Sequence, residues 1–214
     1  MLKKNLSRIS NSSTQIADAM TDQILHGKLA PSEKLNQGAL ADQFGVSKIP
    51  IREALHRLEA DGLITFQANG SAIVSSLSQA EAGQIYLMRT ELECLLLRYA
   101  VPNILEVDLI KAENAIRLID HETDAYRWMH HNWEFHLALY DPAGLPLVVQ
   151  TLKKLYINST RYFVVFDLFT YQKRSQEEHH GILDACKARS TDRAVRLLTD
   201  HMVASKNALL EALG

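Results

Sequence analysis

Cysteine is almost absent: Cys94 and Cys186 are the only two in 214 residues. That is too few, and too widely spaced, for a disulfide framework or a zinc ribbon. No apolar run is long enough to span a bilayer, and residues 1–13 lack the apolar stretch of a signal peptide. A soluble, cytoplasmic protein with no membrane partner is therefore expected. An excess of one charge is missing too. The formal net charge is −2, and residues 1–76 carry eight Lys or Arg against seven Asp or Glu, whereas an indiscriminate nucleic-acid binder would be strongly basic. Familiar catalytic signatures are also lacking: no HExxH, P-loop, dinucleotide fingerprint or nucleophile elbow occurs. Beyond residue 80 there is no strand-like alternation, low-complexity tract or sustained heptad.

What is present is most informative at residues 35–62, LNQGALADQFGVSKIPIREALHRLEADG. Apolar residues at Leu40 and Phe44, then at Ile51, Ala54, Leu55 and Leu58, give two helices with one buried face each. Gly45-Val46-Ser47 supplies the turn between them. Such an angled pair uses its first helix as a brace and projects the start of its second into the major groove of DNA. Upstream, Ile16, Met20 and Ile24 share a helical face; downstream, residues 63–66 and 72–74 read as two strands around the hairpin signal Asn69-Gly70. The expectation is a winged helix-turn-helix over 14–76, after a flexible segment 1–13.

Within this module Ser47, Lys48, Pro50 and Arg52 cluster where the recognition helix begins. Arg52 can fork onto guanine O6 and N7 or clamp a phosphate. Asn36 and Gln37, at the start of the brace, are placed to meet the DNA backbone, and Asn69 and Gly70 at the wing tip to meet the minor groove or phosphates. A nearly neutral module makes few phosphate contacts, so two copies in a homodimer on a two-fold, double-stranded operator are expected. IADAMTDQILHGKLAPSEKL, LADQFGVSKIPIREALHRLEADGLI and the glycine-bearing wing together resemble the GntR family of bacterial transcription regulators. By that resemblance Lys48 stands where the family usually has Arg, and Ile49 where it often has Thr.

Polar, small residues at SSLSQAEA mark a linker, with Ser78 capping a new helix and Glu81 completing a capping box. From there the pattern is helical: Ile85, Met88, Leu92, Leu95, Leu96 and Tyr99 form one stripe, and further helices read at 106–120, 123–140, 145–170, 172–188 and 191–212, broken by Pro102, Asp141-Pro142 and Gly144. The fold class is thus mainly α, a winged helix-turn-helix followed over 77–214 by an all-α bundle of six or seven helices. Three histidines lie on the apolar stripes of three different helices: His136, His179 and His201, with Asn132 one turn before His136. Either each is a satisfied core histidine, or a divalent metal ties these polar groups together.

NWEFHLAL, EEHHGILDAC and AVRLLTDHM resemble the FCD ligand-binding domain of the FadR-type branch of that family. The resemblance implies a divalent metal (zinc, nickel or manganese class) held by His136, His179 and His201. Asn132 stands where an Asp is usual, a weaker neutral ligand. It implies a regulator, repressor or activator, controlled by a small ligand, and a small organic acid is the expected one. An anion would gain most beside a metal with neutral ligands, in an interior with few acids. Arg89 and Arg161 are the candidates to pair with it, the alternative for Arg89 being a surface salt bridge with Glu93 at i,i+4. A metal-dependent hydrolase using the three histidines is the competing reading. Against it, Glu134 lies about 200° around the helix from Asn132, a poor place for a general base.

Overall fold

The computed structural model describes residues 12–166 and 172–214. Its chain divides into two compact units, parted between Ser76 and Leu77. The first contains α1 (Ser13–Leu25), β1 (Lys34–Leu35), α2 (Gln37–Phe44), α3 (Lys48–Ala60), β2 (Ile64–Phe66) and β3 (Ala72–Val74). Residues 1–11 of the expected flexible segment lie outside the described residues. Ser12 and Ser13, assigned to it, instead cap and begin α1: Ser12 Oγ accepts from the Gln15 N–H and Gln15 Oε1 from the Ser12 N–H, a reciprocal capping box.

Ile16, Met20 and Ile24 of α1 are buried with Ile51, Ala54, Leu55 and Leu58 of α3, and α1 packs on α3. Between α2 and α3 Gly45 takes φ 67° and ψ 35°, the left-handed conformation that ends α2 and turns the chain. The sheet has three strands in the order β1-β3-β2, all antiparallel. The sequence suggested two; β1 is only two residues long, too short to show alternation.

The second unit contains α4 (Gln79–Ala100), α5 (Glu106–Ile119), α6 (Ala125–Tyr140), α7 (Pro146–Val165), α8 (Gln172–Lys187) and α9 (Thr191–Ala212). These six α-helices of the described residues are supplemented by single 3-10 turns at Val101–Asn103 and Asp141–Ala143, each with proline in its first turn. α4 packs against α7 and α9, α5 against α6, and α8 against α9. The stretch expected to carry α7 on to 170 falls partly on 167–170, outside the described residues; the described helix ends at Val165. Among the described residues no helix is long and apolar enough to cross a membrane.

Two expectations for α4 need correction. Its inward face is Ala82, Ile85, Tyr86, Arg89, Glu93, Leu96, Leu97 and Ala100, while Met88 and Tyr99 of the expected stripe are exposed. Apolar residues occupy both faces and a charged pair lies inside, so polarity alone misphased the helix. The cap also differs. Ser78 Oγ accepts from the Glu81 N–H, but the Glu81 carboxylate accepts from the Tyr162 hydroxyl (2.7 Å), which in turn accepts from the Ser78 N–H (3.3 Å). A tyrosine of α7 thus stands where the reciprocal half of a capping box was expected.

Candidate functional site

Each unit holds one candidate site. In the first, Asn36, Gln37, Lys48, Asn69 and Gly70 line one cleft of about 400 Å³, joined by Lys34 of β1. Local structure explains how each is presented. Asn36 Oδ1 caps α2 by accepting from the Gly38 and Ala39 N–H groups, at 2.8 and 3.1 Å. Asn69 Oδ1 accepts from the Ser71 N–H at 3.0 Å beside Gly70, whose φ of 77° makes the wing turn. Ser47 is the N-cap of α3 but its hydroxyl makes no capping bond. Ser47, Lys48 and Arg52 are exposed and Pro50 is half-buried. The sequence reading missed Lys34, whose two-residue strand gave no signal.

In the second unit, α6, α8 and α9 bring His136, His179 and His201 together, with one nitrogen from each within 4.8 Å of the others. All three are buried. Each ring is oriented by an acceptor outside the cluster. Tyr140 donates its O–H to Glu93 Oε2 (2.7 Å), so toward His136 it can only accept, and His136 Nδ1–H is the donor across 3.1 Å. The Gln176 amide donates to Asp120 and to the Ile116 carbonyl, leaving its Oε1 to accept from His179 Nδ1–H at 3.0 Å. Glu178 Oε2 accepts from His201 Nδ1–H at 2.8 Å. In His136 and His179, fixing the proton on Nδ1 leaves the Nε2 lone pair as the atom that could ligate. Burial, with His201 as the next contributor, pushes the pKa of His136 and His179 well below the ordinary imidazole value, so both rings are neutral.

Asn132, one turn before His136, lines a cavity together with His201. Tyr156 donates to the Met129 carbonyl (2.7 Å) and so accepts from Asn132 Nδ2 (2.8 Å), turning Asn132 Oδ1 the other way. Asn132 Oδ1, His136 Nε2 and His179 Nε2 are buried without a hydrogen-bond partner. Leaving such groups unpaired costs about 1–3 kcal/mol each. Three imidazole nitrogens and an amide oxygen suit a divalent ion of the zinc, nickel or manganese class. The residues present therefore fit such an ion, which would supply a fixed positive charge in a dry interior.

A cavity of about 20 Å³ adjoins this cluster, lined by Asn132 and His201 together with Arg89, Tyr86, Tyr156 and Ser205 among others. Arg89 is not on the surface, as one reading had it. It is 4% exposed, donates from Nε to Glu93 Oε1 and from Nη1 to Ser159 Oγ, both at 2.9 Å. Its guanidinium also lies 5.2 and 5.0 Å from the ring centres of Tyr86 and Tyr156. Burial, the largest single effect, works against the Arg89 charge, but Glu93, Tyr86 and Tyr156 together more than offset it, and the net pKa shift is upward. Arg161 is buried as well, with Nη1 donating to Asn158 Oδ1 (3.2 Å), but it is not among the residues lining the cavity. The interior is less poor in acids than expected, because Glu93 and Glu178 both reach the cluster's surroundings. Sequence reasoning missed Tyr140, Gln176 and Glu178, the acceptors of the three rings. Their signal was spacing: Tyr140 lies four residues after His136, and Gln176 three before His179.

The model of the FCD domain family matches residues 84–204, and that of the bacterial regulatory proteins, gntR family, matches residues 12–74. The uncharacterized HTH-type transcriptional regulator YdhC of Bacillus subtilis (strain 168) is 28% identical over 197 residues, spanning 87% of this chain and 86% of that protein. The HTH-type transcriptional repressor GlaR of Escherichia coli (strain K12) is 25% identical over 197 residues, spanning 86% and 89%. In fold, E. coli McbR/YncC superposes with a TM-score of 0.82 at 22% identity, covering 94% of this chain and 98% of that one.

Proposed function

The chain belongs to the bacterial regulatory proteins of the gntR family and carries an FCD domain, and from that premise we propose that its hold on operator DNA is set by a small carboxylate metabolite bound in a metal-containing helical unit. That it is a DNA-binding transcriptional regulator follows from the family. The matching families and relatives are regulators rather than enzymes, so the hydrolase reading is set aside. Glu134 agrees with this: its carboxylate is half exposed and pairs with His130 and His131.

The observation that carries the proposal is the set of inward atoms without partners, two Nε2 and one amide oxygen, beside a buried arginine. His136, His179, His201 and Asn132 would hold the metal. Arg89 and Glu93 cancel each other's charge, so the metal's own charge is what an anion would answer, with Arg89 as a second donor. At about 20 Å³ the cavity has room for one water. A carboxylate must therefore displace its walls, which come from α4, α6, α7, α8 and α9. A ligand that needs different walls binds two conformations unequally, and this is what a switch requires.

In the first unit, Lys48 and Arg52 would enter the major groove, with Ser47 and Pro50 setting the helix start. Asn36, Gln37, Asn69 and Gly70 would meet the backbone or the minor groove. Two copies of the chain would pair through the helical unit and act as a repressor, the mode named for GlaR. A thermal-shift screen of organic acids, with and without divalent metal, is the primary test. A stabilising acid should need the metal and should change operator affinity. By reciprocity, the operator must change the acid's affinity by the same factor. Equal acid affinities for free protein and operator complex would overturn the switch.

A further inference from the structure

The first unit has one conspicuous misfit. Among its described residues Ile49 is the single large hydrophobic side chain that is exposed, at 70%. Nothing local asks for it. A β-branched residue in the first turn of a helix adds no propensity, and the core face of α3 is complete with Ile51, Ala54, Leu55 and Leu58. At 100° per residue Ile49 lies about 200° from Ile51, on the side opposite the core, with Arg52 one turn along the same outer face. Its chain neighbour Lys48 is exposed and lines the cleft shared with the wing. An aliphatic side chain flanked by two cations is placed against DNA but offers a phosphate nothing. What the major groove offers it is the C5-methyl group of thymine.

We infer that Ile49 is a specificity-determining residue that reads a thymine by covering its methyl group, next to the position met by Arg52. The inference rests on α3 being the recognition helix. It also gives a reason for an exposed Ile: its surface is covered in the complex and not before. The operator should therefore contain, for each recognition helix, one thymine whose methyl group matters more than that of any other.

Full-length protein is first used to select bound duplexes from a random pool. Each thymine in a selected duplex is then replaced singly by uracil, which removes the methyl group and leaves every hydrogen-bonding group in place. Wild type should lose about fourfold in affinity at one thymine per recognition helix, the value of one buried methyl group. Ile49→Ala should bind the thymine and uracil forms of that duplex equally while keeping its other preferences. Because the side chain is exposed, its melting temperature should match wild type. Indifference of wild type to uracil at every position, or full discrimination retained by Ile49→Ala, would overturn the inference alone. Failure of wild type to select any sequence would overturn the recognition-helix assignment with it.

Discussion

The Tyr140 hydroxyl joins two parts of the polar interior, since it accepts from His136 and donates to the carboxylate that holds Arg89. Tyr140→Phe should leave the fold intact and weaken metal binding by about 10- to 100-fold, the usual cost of losing an outer acceptor of a ligating histidine. Titration against a competing chelator measures it. Asn132→Asp should tighten binding by placing a charged oxygen among the imidazoles, and His179→Ala should abolish it; metal analysis of untagged protein checks both. Acidity acts on the same residues. The folded chain keeps His136 and His179 neutral through burial, while the unfolded chain takes up protons as pH falls through about 6.5. Stability of chelator-treated protein should thus be full above that pH and decline below it. The slope should be about 1.4 kcal/mol per pH unit for each histidine, until the lowered folded-state pKa is reached. Urea melts at pH 7.5 and 5.5 would show the loss, and equal midpoints would contradict it. At this scale the sequence singled out the three histidines and Asn132; the fold brings the histidines together and sets Asn132 in a cavity with His201. It paired Glu93 with Arg89 by spacing but put the pair on the surface, and it did not single out Tyr140, because a phenol becomes meaningful only when packing sets it beside an imidazole.

Helices announce themselves through caps and turns more reliably than through which face they bury. The turn at Gly45 is an example. A Cβ there would meet nothing within 4 Å, yet φ is 67°, so Gly45→Ala should cost about 1–2 kcal/mol purely through the left-handed backbone. A chemical-denaturation curve with an unchanged slope and a lower midpoint is the expected result. The same turn was readable from the sequence because glycine at that point has a conformational job. By contrast, α4 was misread because hydrophobic patterning records apolar faces without saying what covers them. Leu96 is buried, whereas Leu87, Met88 and Tyr99 are exposed. β1 escaped because pairing with β3, and not its own two residues, makes it a strand.

At the scale of the whole molecule, that exposed apolar row on α4 is where two copies should meet. Two readers, each with eight basic against seven acidic residues in 1–76, would then share one operator. Met88→Glu with Tyr99→Glu should convert the protein to a monomer at micromolar concentration, as read by sedimentation velocity. Its melting should change little and its operator affinity should fall steeply; a dimer that survives both substitutions would move the contact elsewhere. The three clustered histidines belong to α6, α8 and α9, so the cluster is spread over residues 136–201, while the reader is complete by residue 76. Proteins are made and folded from the amino end. During every round of translation there is accordingly an interval in which the nascent chain already owns its DNA-reading unit and does not yet own the histidine cluster. Under the proposed control, a new copy would become answerable to the metabolite only once α9 has been synthesised and docked.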